Sequence, residues 1–521
     1  MESGETRPIS LPANLRRVIW TPRWSPDGGK LLGAGPLGIW SVITVGDAPP
    51  HMSANVGYYL ANFGGLPTSF DISRTEPSLV FALGSGVWVS GMNGESPRRV
   101  LEAGLSPVWS PDGQWIAYVR ASPLGYKIGD AIEVVPAKGG HAKVLLSESK
   151  LPVASKFYSR RGCVLNWLPN GRLLFSVADD IYHNGAYSLW AVRVDARTAV
   201  ACDEPVRLEK QADFLKDLTA TANGKRLSVL KGNDHSDVYL AELDKGEGLS
   251  NPHRLTLDNR GNFLSGWTRD GQSVLFSSFR GGKQQAFRQG LTEPIPAILV
   301  QAPGMQGTPT ATPDGRWILY KQWGPTQPNA RPMGRLMRVP VSGGPAEKVL
   351  DLSDSSYFDY HCPSQSGDCV ASRPGAEKGE TVFYALDPVV GLGTQLARIY
   401  GISRSWGISP DGMHLAALYA GRIKVLKVGT GTWQSIFNGL GPEWGAFSSV
   451  AWSTDGSGFF VTSEQSYSTS VAHITTAGMP RVLLQDNLMR QFQLVVPSPD
   501  GRYLAFTAST VEANVWLLEN F

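Results

Sequence analysis

The fold class is decided by the stretch VWSPDGQWIAYVR, residues 108–120. Ser-Pro-Asp-Gly favours a tight turn, because Pro presets φ, Ser can bond the turn backbone and Gly accepts a positive φ. From Trp115 to Arg120, the residues after the turn are largely apolar on both of the faces that a strand would present. Such a strand is typical of a sheet that is covered on both sides. The stretch therefore predicts two antiparallel strands joined at the Ser-Pro-Asp-Gly turn.

The same turn recurs along the whole chain. Eight clear copies and three degenerate ones make eleven in total: 24–28, 73–78, 109–113, 167–171, 221–224, 267–271, 311–315, 363–368, 408–412, 452–456 and 497–501. From Gly271 onward the copies are spaced by 44 to 52 residues. A third apolar strand and often a fourth follow each turn, as in RLMRVPV (335–341) and AEKVL (346–350). Four antiparallel strands in a repeat of this length form one blade of a β-propeller. We therefore predict an all-β chain of about eleven four-stranded blades.

Composition agrees with this fold class and excludes others. The 521 residues include 58 Gly and 36 Pro, which break helices, and only 18% are charged. The net charge of +3, without clusters of Lys and Arg, argues against a nucleic-acid partner. No apolar stretch reaches the length of a membrane helix, and the first residues, MESGETRPIS, lack the apolar region of a signal peptide. We therefore expect no nucleic-acid partner, no membrane segment and no export signal in this chain.

Eleven blades exceed the four to eight of a usual propeller, so we expect two tandem rings. We predict an N-terminal propeller of about five blades in residues 1–250 and a C-terminal propeller of about six blades in residues 251–521. The predicted closing segments are RPISL (7–11) beside DVYLAEL (237–243), and HRLTL (253–257) beside NVWLLEN (514–520), with KGEGLSNP (245–252) as the linker. In the alternative arrangement, RPISL closes onto NVWLLEN and forms one large ring or an interleaved pair.

The turn and the strand that follows it carry a family resemblance. The Trp-Ser-Pro-Asp-Gly hairpin with its Ile-Ala-Tyr strand resembles the repeat of TolB-like, WD-repeat-like propellers, and is similar to the propeller half of dipeptidyl-peptidase-IV-type proteins. The last residues, NVWLLENF (514–521), resemble the ending of sensor propellers in bacterial Ser/Thr kinases and winged-helix regulators. The resemblance extends over essentially the whole chain. It implies a bacterial, periplasmic or extracytoplasmic propeller, whereas the missing export signal alone implies a cytoplasmic one.

No catalytic or cofactor motif is found in the sequence. It lacks a G-x-S-x-G nucleophile elbow, a phosphate-binding loop, a zinc pattern and the kinase motifs. The Asp of each Ser-Pro-Asp-Gly turn is interpreted as structural. We therefore expect no catalytic residue, no metal and no cofactor. An enzyme of this fold would instead need acids near the channel to converge, and the candidates are Asp71, Asp217, Asp359 and Glu443.

Two of the four cysteines lie close together. Cys362 and Cys369 flank the degenerate turn PSQSGD, so they could face each other across two strands. Two interpretations remain open, namely two small buried side chains and a cross-strand disulfide formed in an oxidising compartment.

The segments that lead into the first strand of each blade combine Arg with aromatic residues, which are enriched at binding hot spots. We predict that such residues form a binding site at the channel mouth: Arg16, Arg17, Tyr158, Arg160, Arg161, Tyr357, Tyr360, Arg404, Trp406, Trp444 and Arg490. The alternative is that they are strand starts packed against the neighbouring blade. The predicted function is a non-enzymatic binding or scaffold module for a protein, peptide or extracellular ligand. The alternatives are a detached sensor domain of a bacterial kinase or transcriptional regulator, and a propeller hydrolase, lyase or peptidase accessory domain.

Overall fold

The structure is a computed structural model, and it describes only part of the chain. The described residues are 20–24, 30–35, 38–43, 51–54, 67–83, 86–120, 130–151, 164–178, 187–210, 214–220, 226–244, 248–258, 260–280, 283–323, 334–352, 358–377, 379–419, 422–437, 444, 446–464, 468–486 and 490–519. Within these ranges the chain forms 42 strands and one short 3-10 helix, Glu148–Lys150. The prediction of an all-β fold is confirmed.

Four sheets are built from the N-terminal part of the chain, and their strands pair in sequence order, except that the fifth strand of the fourth sheet pairs with its third strand. The first sheet contains β1 (Trp20–Trp24), β2 (Lys30–Gly35), β3 (Gly38–Ile43) and β4 (His51–Ala54). The second sheet contains β5 (Pro67–Ile72), β6 (Ser78–Leu83), β7 (Gly86–Gly91) and β8 (Arg98–Leu101). The next two contain β9 (Leu105–Trp109), β10 (Trp115–Val119), β11 (Ala131–Pro136) and β12 (Lys143–Ser147), then β13 (Leu165–Trp167), β14 (Arg172–Ala178), β15 (Tyr187–Asp195), β16 (Val200–Ala201) and β17 (Val206–Lys210).

Five four-stranded sheets are built from the C-terminal part of the chain. The first three contain β21 (Asn262–Trp267), β22 (Ser273–Arg280), β23 (Lys283–Gly290) and β24 (Ala297–Ile298), then β25 (Met305–Ala311), β26 (Trp317–Trp323), β27 (Gly334–Pro340) and β28 (Glu347–Leu352), then β29 (Asp359–His361), β30 (Cys369–Pro374), β31 (Glu380–Asp387) and β32 (Gly391–Tyr400). The last two contain β33 (Ile402–Ile408), β34 (His414–Tyr419), β35 (Arg422–Lys427) and β36 (Trp433–Phe437), then β37 (Ala446–Trp452), β38 (Gly458–Glu464), β39 (Thr469–Thr475) and β40 (Pro480–Asp486).

One further sheet combines strands from both parts of the chain. Its order is β18-β19-β42-β41, and β20 pairs with β19. The strands are β18 (Phe214–Ala220), β19 (Arg226–Asp244), β20 (Gly248–Arg254), β41 (Arg490–Pro497) and β42 (Tyr503–Glu519). The chain divides into two compact units, Met1–Asn233 with Glu512–Phe521, and Asp234–Val511. Both β19 and β42 cross this division. The last blade of the N-terminal unit therefore includes residues 512–519, and the last blade of the C-terminal unit includes residues 234–244.

The first strands of the blades contact each other in closed cycles. In the N-terminal unit, β1 contacts β5 and β18, and β9 and β13 complete the cycle between them. In the C-terminal unit, β21 contacts β25 and β41, and β37 contacts β33 and β41. The β29 strand joins this second cycle, because Tyr360 Oη donates to the Thr308 carbonyl of β25 at 2.5 Å and the His361 ring packs 4.5 Å from that of Trp406 in β33. The described residues thus form five blades in one unit and six in the other.

The closing segments differ from the predicted ones. Residues 237–243 belong to the C-terminal unit and residues 512–519 to the N-terminal unit, as in the interleaved alternative. No turn interrupts β19 or β42, so β19 crosses the division between the units at 233/234 and β42 crosses it at 511/512, whereas the sequence predicted one boundary at 250/251. The predicted linker, 245–252, mostly belongs to β20, which forms the outer strand beside β19 and ends at Arg254. RPISL, 7–11, lies outside the described residues.

Ser-Pro-Asp-Gly forms its turn through a fixed set of hydrogen bonds. Ser110 Oγ and the N–H of Gln114 both donate to Asp112 Oδ1, and the N–H of Trp115 donates to Ser110 Oγ. Gly113 supplies the positive φ, 70°, that the turn requires. Corresponding bonds recur at Asp270, Asp314, Asp411, Asp455 and Asp500. They hold the pKa of Asp270 and of Asp411 below the ordinary value. The interpretation of these acids as structural is confirmed.

Apolar side chains fill the space between neighbouring blades. The Trp that precedes the turn is buried wherever its side chain is described, at Trp109, Trp167, Trp267 and Trp452. Burying one side chain of this size contributes about 2–3 kcal/mol, so each repeat stabilises its two neighbours. No helix among the described residues is long and apolar enough to cross a membrane.

Candidate functional site

The channel of each unit is the place where a propeller brings residues from distant repeats together. We call the end of the blades with the Ser-Pro-Asp-Gly turns the turn end. The opposite end, where the first strands begin and the second strands finish, is the loop end. Polar side chains of the first strands gather at both ends.

At the turn end of the N-terminal unit, one arginine holds two carboxylates. Arg23 of β1 places Nη1 2.5 Å from Asp217 Oδ2 of β18 and Nε 3.7 Å from Asp71 Oδ1 of β5. The exposed fractions of the Arg23, Asp217 and Asp71 side chains are 7%, 4% and 19%. Two of the four acids that an enzyme would need do converge, but a buried guanidinium lies between them.

Burial dominates the electrostatics of this group. It raises the pKa of Asp71 and that of Asp217, although the Arg23 charge opposes the rise in both. The N–H of Trp109 donates to the second oxygen of Asp71 at 2.9 Å. Arg74 lies in the turn of the second blade, and its charge also acts on Asp71. It donates a hydrogen bond to the Trp167 carbonyl at 2.8 Å. These contacts link strands of every blade of the unit at its turn end.

The turn end of the C-terminal unit is linked instead by hydrogen bonds to backbone carbonyls, without an ion pair among these residues. Arg269 donates to the Pro313 carbonyl at 3.0 Å and to the Gln365 carbonyl at 3.3 Å. Gln365 donates its N–H to the Pro410 carbonyl and its Nε2 to the Thr454 carbonyl, both at 2.9 Å. Thr454 Oγ1 then donates to the Ser498 carbonyl at 2.9 Å. Because these residues belong to the six successive turns, Gln365 reaches across the channel and connects turns that are not neighbours.

A disulfide fixes the loop that carries Gln365. The structure joins Cys362 and Cys369, in agreement with the interpretation of this pair as a cross-strand disulfide. Cys369 is buried. Cys362 takes the position that Trp has before the turn in other repeats, and Cys369 takes the position opposite it across the hairpin. The disulfide therefore closes the base of the 363–368 loop. Cys202 is an exposed free cysteine.

Reduction of this disulfide by a dithiol is expected to loosen the Gln365 bridge. Opening a loop of this size costs about 2–3 kcal/mol of stability in the chain-entropy description. The Gln365 N–H, bonded to Pro410, should then exchange with solvent faster in hydrogen-exchange mass spectrometry, while exchange in the 110–115 turn stays unchanged. A Cys163→Ser/Cys202→Ser background removes the other two cysteines, which could otherwise form mixed disulfides. Unchanged exchange at Gln365 after full reduction would show that the loop holds without its covalent base.

At the loop end of the C-terminal unit, two titratable side chains lie close together. His361 Nε2 lies 3.4 Å from Asp359 Oδ2, and both residues belong to β29. Burial opposes ionisation of Asp359, but the hydrogen bond and charge of His361, and then the charge of Lys321 of β26, together lower the pKa of Asp359 below its ordinary value. The Asp359 side chain is 38% exposed, whereas Lys321 is only 7% exposed. The acidic group is thus open to solvent, whereas the lysine whose charge acts on it is buried.

Cation–aromatic pairs occupy the same end of three blades. Arg280 lies 4.7 Å from the Phe287 ring, Arg373 lies 4.5 Å from the Tyr384 ring, and Lys424 lies 3.9 Å from the Tyr419 ring. Each cation stands beside a loop between the second and third strands of its blade. Arg280 also pairs with Asp258. Arg373 is exposed, and its Nη2 donates to the Tyr384 hydroxyl at 3.2 Å.

The predicted mouth residues have different outcomes. Those outside the described residues are Arg16, Arg17, Tyr158, Arg160, Arg161 and Tyr357, together with the acid Glu443. Arg404 lies in β33 and Arg490 begins β41, with their side chains outside the description. Tyr360 and Trp406 are buried in apolar clusters between blades, and Trp444 packs on the cluster around Phe437. These three therefore serve as packing residues, and the mouth as a whole stays a prediction.

Sequence reasoning missed Arg23, Arg269, Gln365 and Lys321. Arg23 and Arg269 lie within or next to a turn motif, where charge is ordinary, and Gln365 lies in a degenerate copy. The one available signal was the polar residue in an otherwise apolar strand, as in Lys321 within WILYKQW. A buried strand rarely carries Lys without a reason.

Comparisons with known proteins return distant similarities. No family model matches the chain. An uncharacterized protein of Agrobacterium fabrum, Atu1656, is 24% identical over 209 residues, which are 39% of this chain and 63% of that protein. The match therefore spans less than two thirds of that relative. Among solved structures, a putative TolB from Agrobacterium tumefaciens is 15% identical, covers 55% of this chain and 82% of its own, and has a TM-score of 0.21.

An oligogalacturonate lyase in complex with manganese is 11% identical, covers 85% of this chain and 88% of its own, and has a TM-score of 0.28. Its similarity, like that of the TolB protein, is to a β-propeller fold. The class of this protein follows from its own sheets. Repeated four-stranded antiparallel blades, arranged around closed cycles of first strands, define the chain as a β-propeller protein.

Proposed function

We propose that this chain is a non-enzymatic binding module that recognises a protein or peptide at the loop end of its C-terminal unit. The observation that carries the proposal is the hydrogen-bonded linkage of the turn end by Arg269, Gln365 and Thr454. Side chains that bridge opposite blades cross the channel at that end, so a partner that enters the channel would approach from the other. Loops on a rigid scaffold are also the usual carriers of binding residues.

The residues of the loop end support recognition of an acidic partner. Arg373 and Lys424 present cations beside aromatic rings, an arrangement enriched at protein interfaces. Arg260 and Arg422 add exposed positive charge near the same loops. A partner with carboxylates would meet complementary charge there, and such complementarity contributes to specificity and to the association rate.

The enzymatic alternative has one observation in its favour, the convergence of Asp71 and Asp217. A general acid or base must reach the proton that it transfers. Asp217 is 4% exposed, and its Oδ2 is held 2.5 Å from Arg23 Nη1. An acid in this setting stabilises the fold more readily than it meets a substrate, so we prefer the binding function.

The proposal of a detached sensor domain concerns the gene's surroundings, and an adjoining kinase or winged-helix reading frame would support it.

Charge reversal at the loop end tests the binding proposal. Random short peptides displayed on phage are first enriched against the intact chain. The Arg373→Glu/Lys424→Glu variant should bind the enriched peptides at least about tenfold more weakly, because two attractive charges become repulsive. The affinities are measured by fluorescence anisotropy at fixed ionic strength.

The matched control reverses two charges at the turn end. Arg316 and Lys427 are exposed there, and Arg316→Glu/Lys427→Glu changes the net charge of the protein equally. This control should bind like the wild type. Failure to enrich any peptide, or an equal loss in both variants, would contradict recognition at the loop end.

A further inference from the structure

A cavity opens at the turn end of the C-terminal unit, between the turns of its second and third blades. Its volume is about 370 Å³. Its walls are residues 312–314 of the second turn, residues 365–369 of the third turn, and Pro388 from the hairpin between β31 and β32. Among the described residues, these walls contain two carboxyl groups, those of Asp314 and Asp368, and no cation.

The cavity exists because the third turn leans on the fourth. At the first, second, fourth and sixth turns of this unit, a Cβ placed on the turn glycine would meet the preceding turn. Gly367 of the third turn departs from this pattern, because its Cβ would lie 3.1 Å from Gly412 of the following turn. The N–H groups of Gln365 and Ser366 also donate to the Pro410 carbonyl of the fourth turn, at 2.9 and 3.3 Å. Space is therefore left on the side of the second turn.

Asp368 does not have the structural role of the other turn aspartates. In Ser-Pro-Asp-Gly the Asp precedes the Gly, whereas in the degenerate copy PSQSGD it follows Gly367. The disulfide between Cys362 and Cys369 closes this loop covalently. Asp368 is exposed, and within the described residues it makes no hydrogen bond and no ion pair. A carboxyl group without a partner in the described part of the fold thus lines the cavity.

The charges around the cavity favour a ligand with a single cation. Asp314 already has a cation, since its Oδ2 lies 2.6 Å from Arg316 Nε. Arg316 and Arg269 both lie outside the walls, and Arg269 donates to the carbonyls of two wall residues. A cationic group would complement Asp368, whereas a second positive charge on the same ligand would be repelled by the two arginines.

Two exposed valines stand beside the cavity. Val389 and Val390 directly follow Pro388, and their exposed fractions are 55% and 83%. Asp387 Oδ1 accepts hydrogen bonds from both of their N–H groups, at 2.6 and 2.9 Å, and so fixes the turn that presents them. Apolar side chains held in solvent next to a cavity indicate a contact surface. A basic side chain has an apolar stem that can lie on Pro388 while its charged end reaches a carboxylate.

We propose that this cavity binds a basic side chain of a partner protein, with the cation on Asp368 and an adjoining apolar residue of the partner on Val389 and Val390. The inference goes beyond the proposed function, because it adds a second binding site at the opposite end of the same unit. The two ends then select partners of opposite charge, an acidic one at the loop end and a basic one at the turn end.

Carboxyl footprinting tests this site. The intact chain is treated with a water-soluble carbodiimide and glycine ethyl ester, and the labelling rate of each acidic residue is measured by peptide mapping. The probes are acetyl-Leu-Arg-amide and its neutral isostere acetyl-Leu-citrulline-amide, and neither has a reactive amine or carboxylate. The arginine probe should slow labelling of Asp368 at least about threefold, and the citrulline probe less than about 1.5-fold, because only the guanidinium forms a charge-assisted pair.

Matched variants identify the groups involved. Glu204 is the control acid, because its side chain is 73% exposed and it belongs to the other unit. In isothermal titration calorimetry, Asp368→Asn should bind the arginine probe at least about fivefold more weakly, whereas Glu204→Gln, with the same change in net charge, should stay within about 1.5-fold of the wild type. Val390→Ser should weaken binding about twofold, because it removes apolar contact. All three residues are exposed, so the fold should tolerate the changes.

Each possible result supports or overturns a defined part of the proposal. Equal protection by the two probes would overturn recognition of a cation. Absence of protection at Asp368, or equal slowing at Asp368 and Glu204, would overturn the site. Wild-type affinity of Asp368→Asn would overturn the role of its carboxylate, and wild-type affinity of Val390→Ser would overturn the apolar contact.

Discussion

Replacing Arg23 by Met should lower the free energy of unfolding by about 3–5 kcal/mol, because it leaves two buried carboxylates without their cation. Met keeps much of the side-chain volume, so the loss reports on charge rather than on a cavity. Asp217 suffers most, since its Oδ2 lies 2.5 Å from the guanidinium and its side chain is 4% exposed. Urea unfolding, followed by tryptophan fluorescence, measures the change.

The loss should depend on pH in a defined direction. Burial already raises the folded-state pKa of Asp71 and Asp217 above the ordinary 3.8, and removal of Arg23 removes the main opposing effect. A carboxyl whose folded pKa is raised is least costly below its unfolded pKa, and its cost appears as the pH rises through the folded value. The variant should therefore come nearest to the wild type at acidic pH and differ most near neutrality.

Two further variants isolate the charge effect. Asp71→Asn/Asp217→Asn in the Arg23→Met background removes both unpaired charges and should recover a large part of the lost stability. Arg193→Met is the matched control, because Arg193 is 64% exposed and lies 3.6 Å from Asp203, so its loss should stay below about 1 kcal/mol. Wild-type stability of Arg23→Met at neutral pH would refute the role of the cluster.

The blade was predictable from the sequence because its determinants are local. Ser110, Asp112 and Gly113 lie within four residues, and the bonds that they form depend on nothing outside the turn. Alternation in the following strand is equally local. Closure of the blades was less predictable, because it depends on β19 and β42, which continue into a second unit without any turn signal.

The clusters could be anticipated only in part. The sequence singled out Asp71 and Asp217 as acids near a channel, but it did not indicate Arg23, which is 194 residues from Asp217. Tyr360 illustrates the opposite error. It lies between Asp359 and His361, and because strand side chains alternate, it points away from them into the cluster between blades. The alternation of residues in the sequence identifies the two faces of a strand. Only the closed ring of blades determines which of these faces meets the channel.

Replacing Lys321 by Met should stabilise the protein by about 1–3 kcal/mol at neutral pH, since a buried polar group without a partner is costly. Met fills the same space along WILYKQW without a charge. The gain should shrink as the pH rises. Because the folded pKa of Lys321 lies below the ordinary 10.5, the wild type loses its penalty between the two values and approaches the variant above them. Thermal unfolding across this range measures the difference.

Lys427→Met is the matched control, and because Lys427 is exposed, its effect should stay within about 0.5 kcal/mol. A loss of stability in Lys321→Met would mean that the ammonium has a favourable partner in the fold. A gain in stability would show that Lys321 is costly to the folded protein, and residues that destabilise a fold are commonly retained for function.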